Sequence, residues 1–215
     1  MNESVNETSG IKFPPALIKK LLELRAQGIR EDVTLRFVDF DGTLMNDQVR
    51  YAVDPNLRQY SGDEAIGYIM GRYSTPDDPS GFKNFVASLE PRKHIFKNIG
   101  DFFNPENPYD FILTAGNIFF QKEKVDASGF PSSTKKLLVY NAKEKPLVMF
   151  YTCLKLGFIP GKIEFYDDRI KNFEGVDIAM SEALGIPVDF FQAIPNNSEN
   201  IVAIKKVVQD KVATL

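Results

Sequence analysis

The sequence predicts an α/β fold: a Rossmann-like parallel sheet with helices on both faces, and a small, mostly helical or irregular cap inserted after the first core strand. Three observations carry this expectation. Short apolar runs that read as strands alternate with helix-like segments along most of the chain, as a parallel sheet covered on both faces requires. Three of those runs end in polar residues, at "DFDGT", "TAGN" and "DDR", on the sheet edge where such folds bind ligands. Between Leu44 and Tyr109 the rhythm breaks into loop-rich sequence such as "YSTPDDPSG" and "NPENP".

Pro14-Pro15 opens a first helix, with Leu17, Ile18, Leu21, Leu22 and Leu24 on one apolar face and Gly28 as its stop. "TLRFVDF" follows as the first strand, "YDFILTAGN" as the second and "KKLLVYNA" as the third. Pro146 starts a helix through "PLVMFYTCLKL", which Gly157 ends. "KIEFYDD" is the fourth strand, "GVDIAMSEALG" a helix, "IPVDFFQAI" a fifth strand and "SENIVAIKKVVQDKV" a closing amphipathic helix. The irregular segment offers two helices, "GDEAIGYIM" and "FKNFVASLE", and no clear strand. The expected organisation is a disordered tail over 1–10, a core built from 11–44 and 109–215, and a cap or lid over 45–108.

Composition narrows the function. With 215 residues, 43% of them hydrophobic, the chain can bury one substantial core. A formal net charge of −3 provides no basic field for nucleic acid or anionic lipid. The sole cysteine, Cys153, forbids an intramolecular disulfide and lies in an apolar helical pattern, so it reads as a buried structural thiol. The sole histidine, His94, has no motif around it, and histidine-rich zinc sites are excluded by count. "MNESVNETSG" lacks the charged-then-apolar pattern of a signal peptide, and no apolar stretch is long enough to span a bilayer. The expectation is a soluble cytoplasmic protein without a membrane partner.

The three polar strand ends bring together Asp39, Asp41, Thr114, Ala115, Asp167 and Asp168, and Lys145 lies just before the helix that leads to the fourth strand. Carboxylates gathered in one crevice repel one another and hold protons unless a cation neutralises them. An all-oxygen set suits Mg²⁺, which keeps several waters and accepts phosphate oxygens. Lys145 would offset the remaining phosphate charge, while Thr114 donates its hydroxyl alongside neighbouring amides. One carboxylate could then attack phosphorus, and a second, two residues on, could protonate the leaving alcohol and later activate water.

"FVDFDGTL" resembles the first motif of the haloacid dehalogenase superfamily, an apolar strand followed by Asp-x-Asp-Gly-Thr. "FILTAGN" is similar to the second motif, "KEKP" to the third and "IEFYDDRIKN" to the fourth, in the order and with the spacing of that family over roughly Leu35 to Asn172. The resemblance implies Asp39 as nucleophile and metal ligand, and Asp41 as general acid/base that also binds the metal through its backbone carbonyl. Thr114, Ala115 and Lys145 are then the phosphate-binding residues, with Lys143 an alternative to Lys145. Asp168 is the fourth-motif metal ligand with Asp167 in support, and their division of labour stays open. An acid two residues after the nucleophile marks phosphate-ester hydrolases rather than dehalogenases or P-type ATPases. The expected activity is therefore a Mg²⁺-dependent phosphatase acting on a small phosphorylated substrate through an aspartyl-phosphate. The alternatives are an inactive binding or regulatory protein of the same fold, a phosphomutase, or a nucleic-acid end phosphatase. The acidic balance of the insert weighs against the last.

Overall fold

The computed structural model describes residues 13–205, with the backbone alone of Ile204 and Lys205. The elements run α1 (Pro15–Arg25), β1 (Ile29–Val38), α2 (Val49–Val53), α3 (Gly62–Tyr73), α4 (Phe82–Leu89), β2 (Asp110–Ala115) and α5 (Ile118–Ala127). They continue with β3 (Lys135–Val139), α6 (Lys145–Leu156), β4 (Ile159–Asp167), α7 (Val176–Leu184), β5 (Val188–Pro195) and β6 (Ile201–Lys205). One six-stranded sheet results, in the order β3-β2-β1-β4-β5-β6. The first five strands pair in parallel, and β6 lies antiparallel on β5.

This order has a functional consequence. From β1 the chain proceeds to β2 and β3 on one side, then crosses to β4 and β5 on the other. The sheet's topological switch point therefore lies between β1 and β4, where ligand crevices form in open α/β sheets. Asp39 directly follows β1 and Asp167 ends β4, so the strand order itself brings those two carboxylates side by side.

Apolar side chains alternate to the two faces of the strands. On one face, Leu35 and Phe37 of β1 with Ile163 and Phe165 of β4 pack under α1, α6 and α7 through Leu17, Leu21, Phe150, Cys153 and Met180. On the other, Val38, Ile112 and Tyr166 are covered by Val125 of α5 and by Met45, Phe96, Phe102 and Phe103. Phe96, Phe102 and Phe103 thus belong to the sheet's own packing although they lie in the irregular segment. Helices α2–α4 gather around a separate small cluster of Leu57, Ile69, Phe82, Phe85 and Leu89. Asp54 knits that unit together: its carboxylate accepts from Tyr68, Tyr73 and the Asn56 amide at 3.0–3.1 Å and pairs with Arg72 at 3.2 Å.

Across the second face runs a ladder of charges in register. Arg36 of β1 lies between Asp110 of β2, at 3.6 Å, and Glu164 of β4, at 2.9 Å. Lys162 then bridges Glu164 at 2.8 Å and Asp189 of β5 at 2.9 Å. The hydroxyl of the buried Tyr166 also donates to Glu164, at 3.2 Å.

Several sequence expectations need correction. The closing helix over "SENIVAIKKVVQDKV" is not formed in its first part, where Ile201–Lys205 is strand β6. The apolar spacing there suits either structure, and the open edge of β5 supplies backbone partners that decide in favour of a strand. The remainder of that segment, like the tail over 1–10, lies outside the described residues. Strand β1 starts at Ile29, earlier than its apolar run, because Ile29 and the exposed Arg30 already pair with Ile159 and Pro160 of β4, before an irregularity in register that ends at Thr34. Leu22, assigned to the buried face of α1, is 48% exposed. Cys153 is buried as expected, and burial pushes its thiol up to about 12. Among the described residues no helix is long and apolar enough to cross a membrane.

Candidate active site

The turn after β1 is built by the backbone. Asp39 extends the β1–β4 pairing by donating its amide to the Tyr166 carbonyl at 2.8 Å. The chain then turns sharply: the Leu44 and Met45 amides both bond to the Phe40 carbonyl, and the Gly42 amide bonds to the Met45 carbonyl. Gly42 has φ +76°, and a Cβ there would lie 2.8 Å from Cγ of Asp168. A residue without a side chain is thus required both by conformation and by the close approach of the β4 loop.

Lys145, the first residue of α6, is 2% exposed and reaches two of the carboxylates. Its ammonium lies 2.9 Å from Asp39 Oδ1, close but without the alignment of a hydrogen bond, and donates to Asp167 Oδ2 at 2.6 Å. Burial opposes the lysine's charge, but Asp39 and Asp167 outweigh it and hold Lys145 above the ordinary lysine range. Lys143 instead has its amide bonded to Asn141, one turn before α6. Asp167 also accepts from the Arg169 amide at 2.7 Å, while the more exposed Asp168 pairs with the Arg169 guanidinium at 3.5 Å.

Asp39, Asp167 and Asp168 offer carboxylate oxygens that all lie within 4.8 Å of one another. Burial pushes Asp39 up to about 7, with Asp167 adding to the rise and Lys145 opposing it. Burial and the Asp167 charge likewise raise Asp168, to about 6. Three carboxylates so placed are under-compensated by Lys145 and Arg169, and their oxygen-only donor set fits a hard divalent cation such as Mg²⁺.

Asp41 faces a different set of groups. Its Oδ2 accepts from the ammonium of Lys124 and, at 3.0 Å, from the amide of Gln121, both on α5. Burial raises the Asp41 carboxyl, but Lys124, Gln121 and the more distant Arg50 outweigh it and keep it below the usual carboxylate range. The two aspartates of one motif are thus driven in opposite directions by their surroundings. Thr114 is buried at the end of β2, level with Phe40 when the β1–β2 register is extended, and Ala115 closes that strand beside it.

Sequence reasoning missed Lys124 and Gln121. The segment "IFFQKEKVDA" carries no motif and drew no assignment, yet Lys124 is 4% exposed while the apolar Phe119 is 65% exposed. Lys122 and Asp126 of α5 face solvent and Val125 is buried, as in an ordinary surface helix, so Gln121 and Lys124 are the exceptions, and only the fold reveals why. Asn117 caps the helix by accepting from the Phe120 amide at 3.1 Å. Gly116, at φ +135°, leaves room for Gln121, whose amide also bonds to the Ala115 carbonyl at 3.1 Å.

No protein-family model and no curated protein matches this chain. Among solved structures, the chain is similar to one from Burkholderia xenovorans LB400 named as a haloacid dehalogenase-like hydrolase. The two share 15% identity with a TM-score of 0.44, over 73% of this chain and 80% of that one.

Proposed function

We propose that this chain is a Mg²⁺-dependent phosphomonoester hydrolase that works through an aspartyl-phosphate on Asp39. The observation that carries the reading is the buried Lys145 bridging Asp39 and Asp167 beside Asp168, with Asp41 held separately two residues from Asp39. The motifs that resemble the haloacid dehalogenase superfamily support it as well.

Each residue has work to do. Lys145, Thr114 and the Ala115 amide bind the phosphoryl oxygens and orient phosphorus toward Asp39. An Asp39 oxygen attacks, the bond to the leaving oxygen breaks, and Asp41 gives that oxygen a proton. Asp41 then takes a proton from water as the water attacks phosphorus, releasing phosphate and restoring the Asp39 carboxylate. The Lys124 pairing keeps Asp41 ionised for this second half. An arriving phosphate dianion raises its proton affinity for the first. Asp39, Asp168, Asp167 and the Asp41 carbonyl would hold Mg²⁺, which supplies charge neutralisation for the phosphoryl group. Helices α2–α4, reached beside the site through Asp47 and Arg50, serve as the lid that selects a small phosphorylated substrate.

Phosphate release from a panel of phosphate monoesters, with Mg²⁺ and with a chelator, tests the reading. Activity that needs the cation is expected, and no release from any ester with Mg²⁺ present overturns it. A second measurement concerns the cation alone. Mg²⁺ is expected to raise the melting temperature of the wild-type protein. In Gly42→Ala the rise should shrink, since the added methyl displaces Asp168.

A further inference from the structure

Helix α5 joins two parts of the molecule that nothing else in the proposed mechanism connects. Phe120 inserts among the aromatic rings of α4, with centroids 5.4 Å from Phe82 and 6.0 Å from Phe85. One turn later, Lys124 places its ammonium 4.8 Å above the centroid of the same Phe120 ring and 5.9 Å from that of Phe40, with Asp41 as its ionic partner. Gln121 lies between them on the helix and ties Asp41 Oδ2 to the Ala115 carbonyl through one amide nitrogen.

A nearly buried lysine with one carboxylate partner is an expensive arrangement, because desolvation of both charges offsets most of their attraction. The proposed mechanism gives phosphate to Lys145, which leaves Lys124 without that task. What it does is fix one oxygen. Both polar contacts from α5 go to Oδ2 of Asp41, and Oδ1 has no hydrogen-bond partner in its buried position. An acid/base needs one oxygen anchored and the other free to exchange a proton with the reacting group.

We propose that Lys124 and Gln121 are positioning residues that clamp Asp41 Oδ2 and present Oδ1 to the leaving-group oxygen, with α5 coupling this clamp to the seating of α4. The proposal rests on the phosphohydrolase reading above. It assigns a function to two residues outside the recognised motifs and makes leaving-group protonation depend on how the lid is docked.

The test compares 4-nitrophenyl phosphate, whose phenol departs readily as an anion, with 4-methoxyphenyl phosphate, whose phenol needs more proton donation. In kcat/KM, which reports steps through ester cleavage, Lys124→Met should lose about 10-fold more on the methoxy ester than on the nitro ester. Gln121→Leu should show a smaller split in the same direction, and Lys124→Arg should restore most of the loss. An equal fall on both esters, or no fall on either, overturns the proposal. Should Lys124→Met fail to fold, Gln121→Leu decides by the same criterion. A wild-type protein inactive on every ester removes the phosphohydrolase reading itself, and this inference with it.

Discussion

Asp39→Asn should abolish phosphate release, lowering kcat/KM by about 10⁴-fold or more on any ester the wild-type protein hydrolyses, while leaving the fold intact. The amide keeps the size of the carboxyl but cannot attack phosphorus. The loss should come with no loss of stability at pH 8 in the absence of metal. In the folded chain burial raises the Asp39 carboxyl to about 7, so folding is opposed increasingly as pH climbs from the unfolded value of about 3.9 toward 7. Removing that charge removes the opposition. Thermal melts of both proteins in chelator should therefore show Asp39→Asn matching or exceeding wild type at pH 8, with the margin closing as pH falls to 4. Residual single-turnover labelling of the variant by a phosphate ester would contradict Asp39 as the nucleophile.

Lys145→Met should have the opposite profile: no activity and a large loss of stability. The lysine is the shared counter-charge of Asp39 and Asp167, and removing one partner of a buried ion pair costs about 3–5 kcal/mol. For a domain of this size that corresponds to a drop of roughly 6–20 °C in melting temperature. The sign of its pH dependence follows from the same charges. Without the ammonium the Asp39 carboxyl rises further above its unfolded value, so it takes up a proton on folding and the deficit deepens as pH rises. Melts at pH 5 and pH 8 should show the larger deficit at pH 8. A variant as stable as wild type at both values would mean that Lys145 is not the electrostatic keystone of the crevice.

The contrast between these two variants shows which parts of the site were legible in the sequence. Asp39, Asp41, Asp167 and Asp168 could be placed at one crevice because each ends a recognisable strand at a fixed offset, and the parallel order brings strand ends together. The choice between Lys143 and Lys145 was not readable. Two residues' difference rotates a side chain by about half a turn of helix, and only the placed α6 shows Lys145 pointing inward. Lys124 and Gln121 were invisible for a stronger reason. Periodicity assigns polar residues to solvent, and α5 buries these two against a polar partner while exposing Phe119. Strand β6 was lost to a related ambiguity, since "IVAIKK" carries an apolar pattern that a sheet edge can recruit as readily as a helix face. The packing of Phe96, Phe102 and Phe103 under the sheet was likewise beyond local reading, because irregular backbone gives aromatic residues no period.

The charge ladder on the second face of the sheet has a consequence for topology. Among parallel strands of similar apolar content, hydrophobicity alone sets no neighbour preference, and several orders would bury comparable surface. The ladder breaks that degeneracy. Placing β2 directly against β4 would oppose Asp110 to Glu164, two acids in register, whereas inserting β1 sets Arg36 between them. Lys162 performs the same service between Glu164 and Asp189. The ladder thus acts as an address code for strand neighbours, and the order it favours is the one that places Asp39 beside Asp167. Charges remote from the chemistry would choose, during folding, which carboxylates meet.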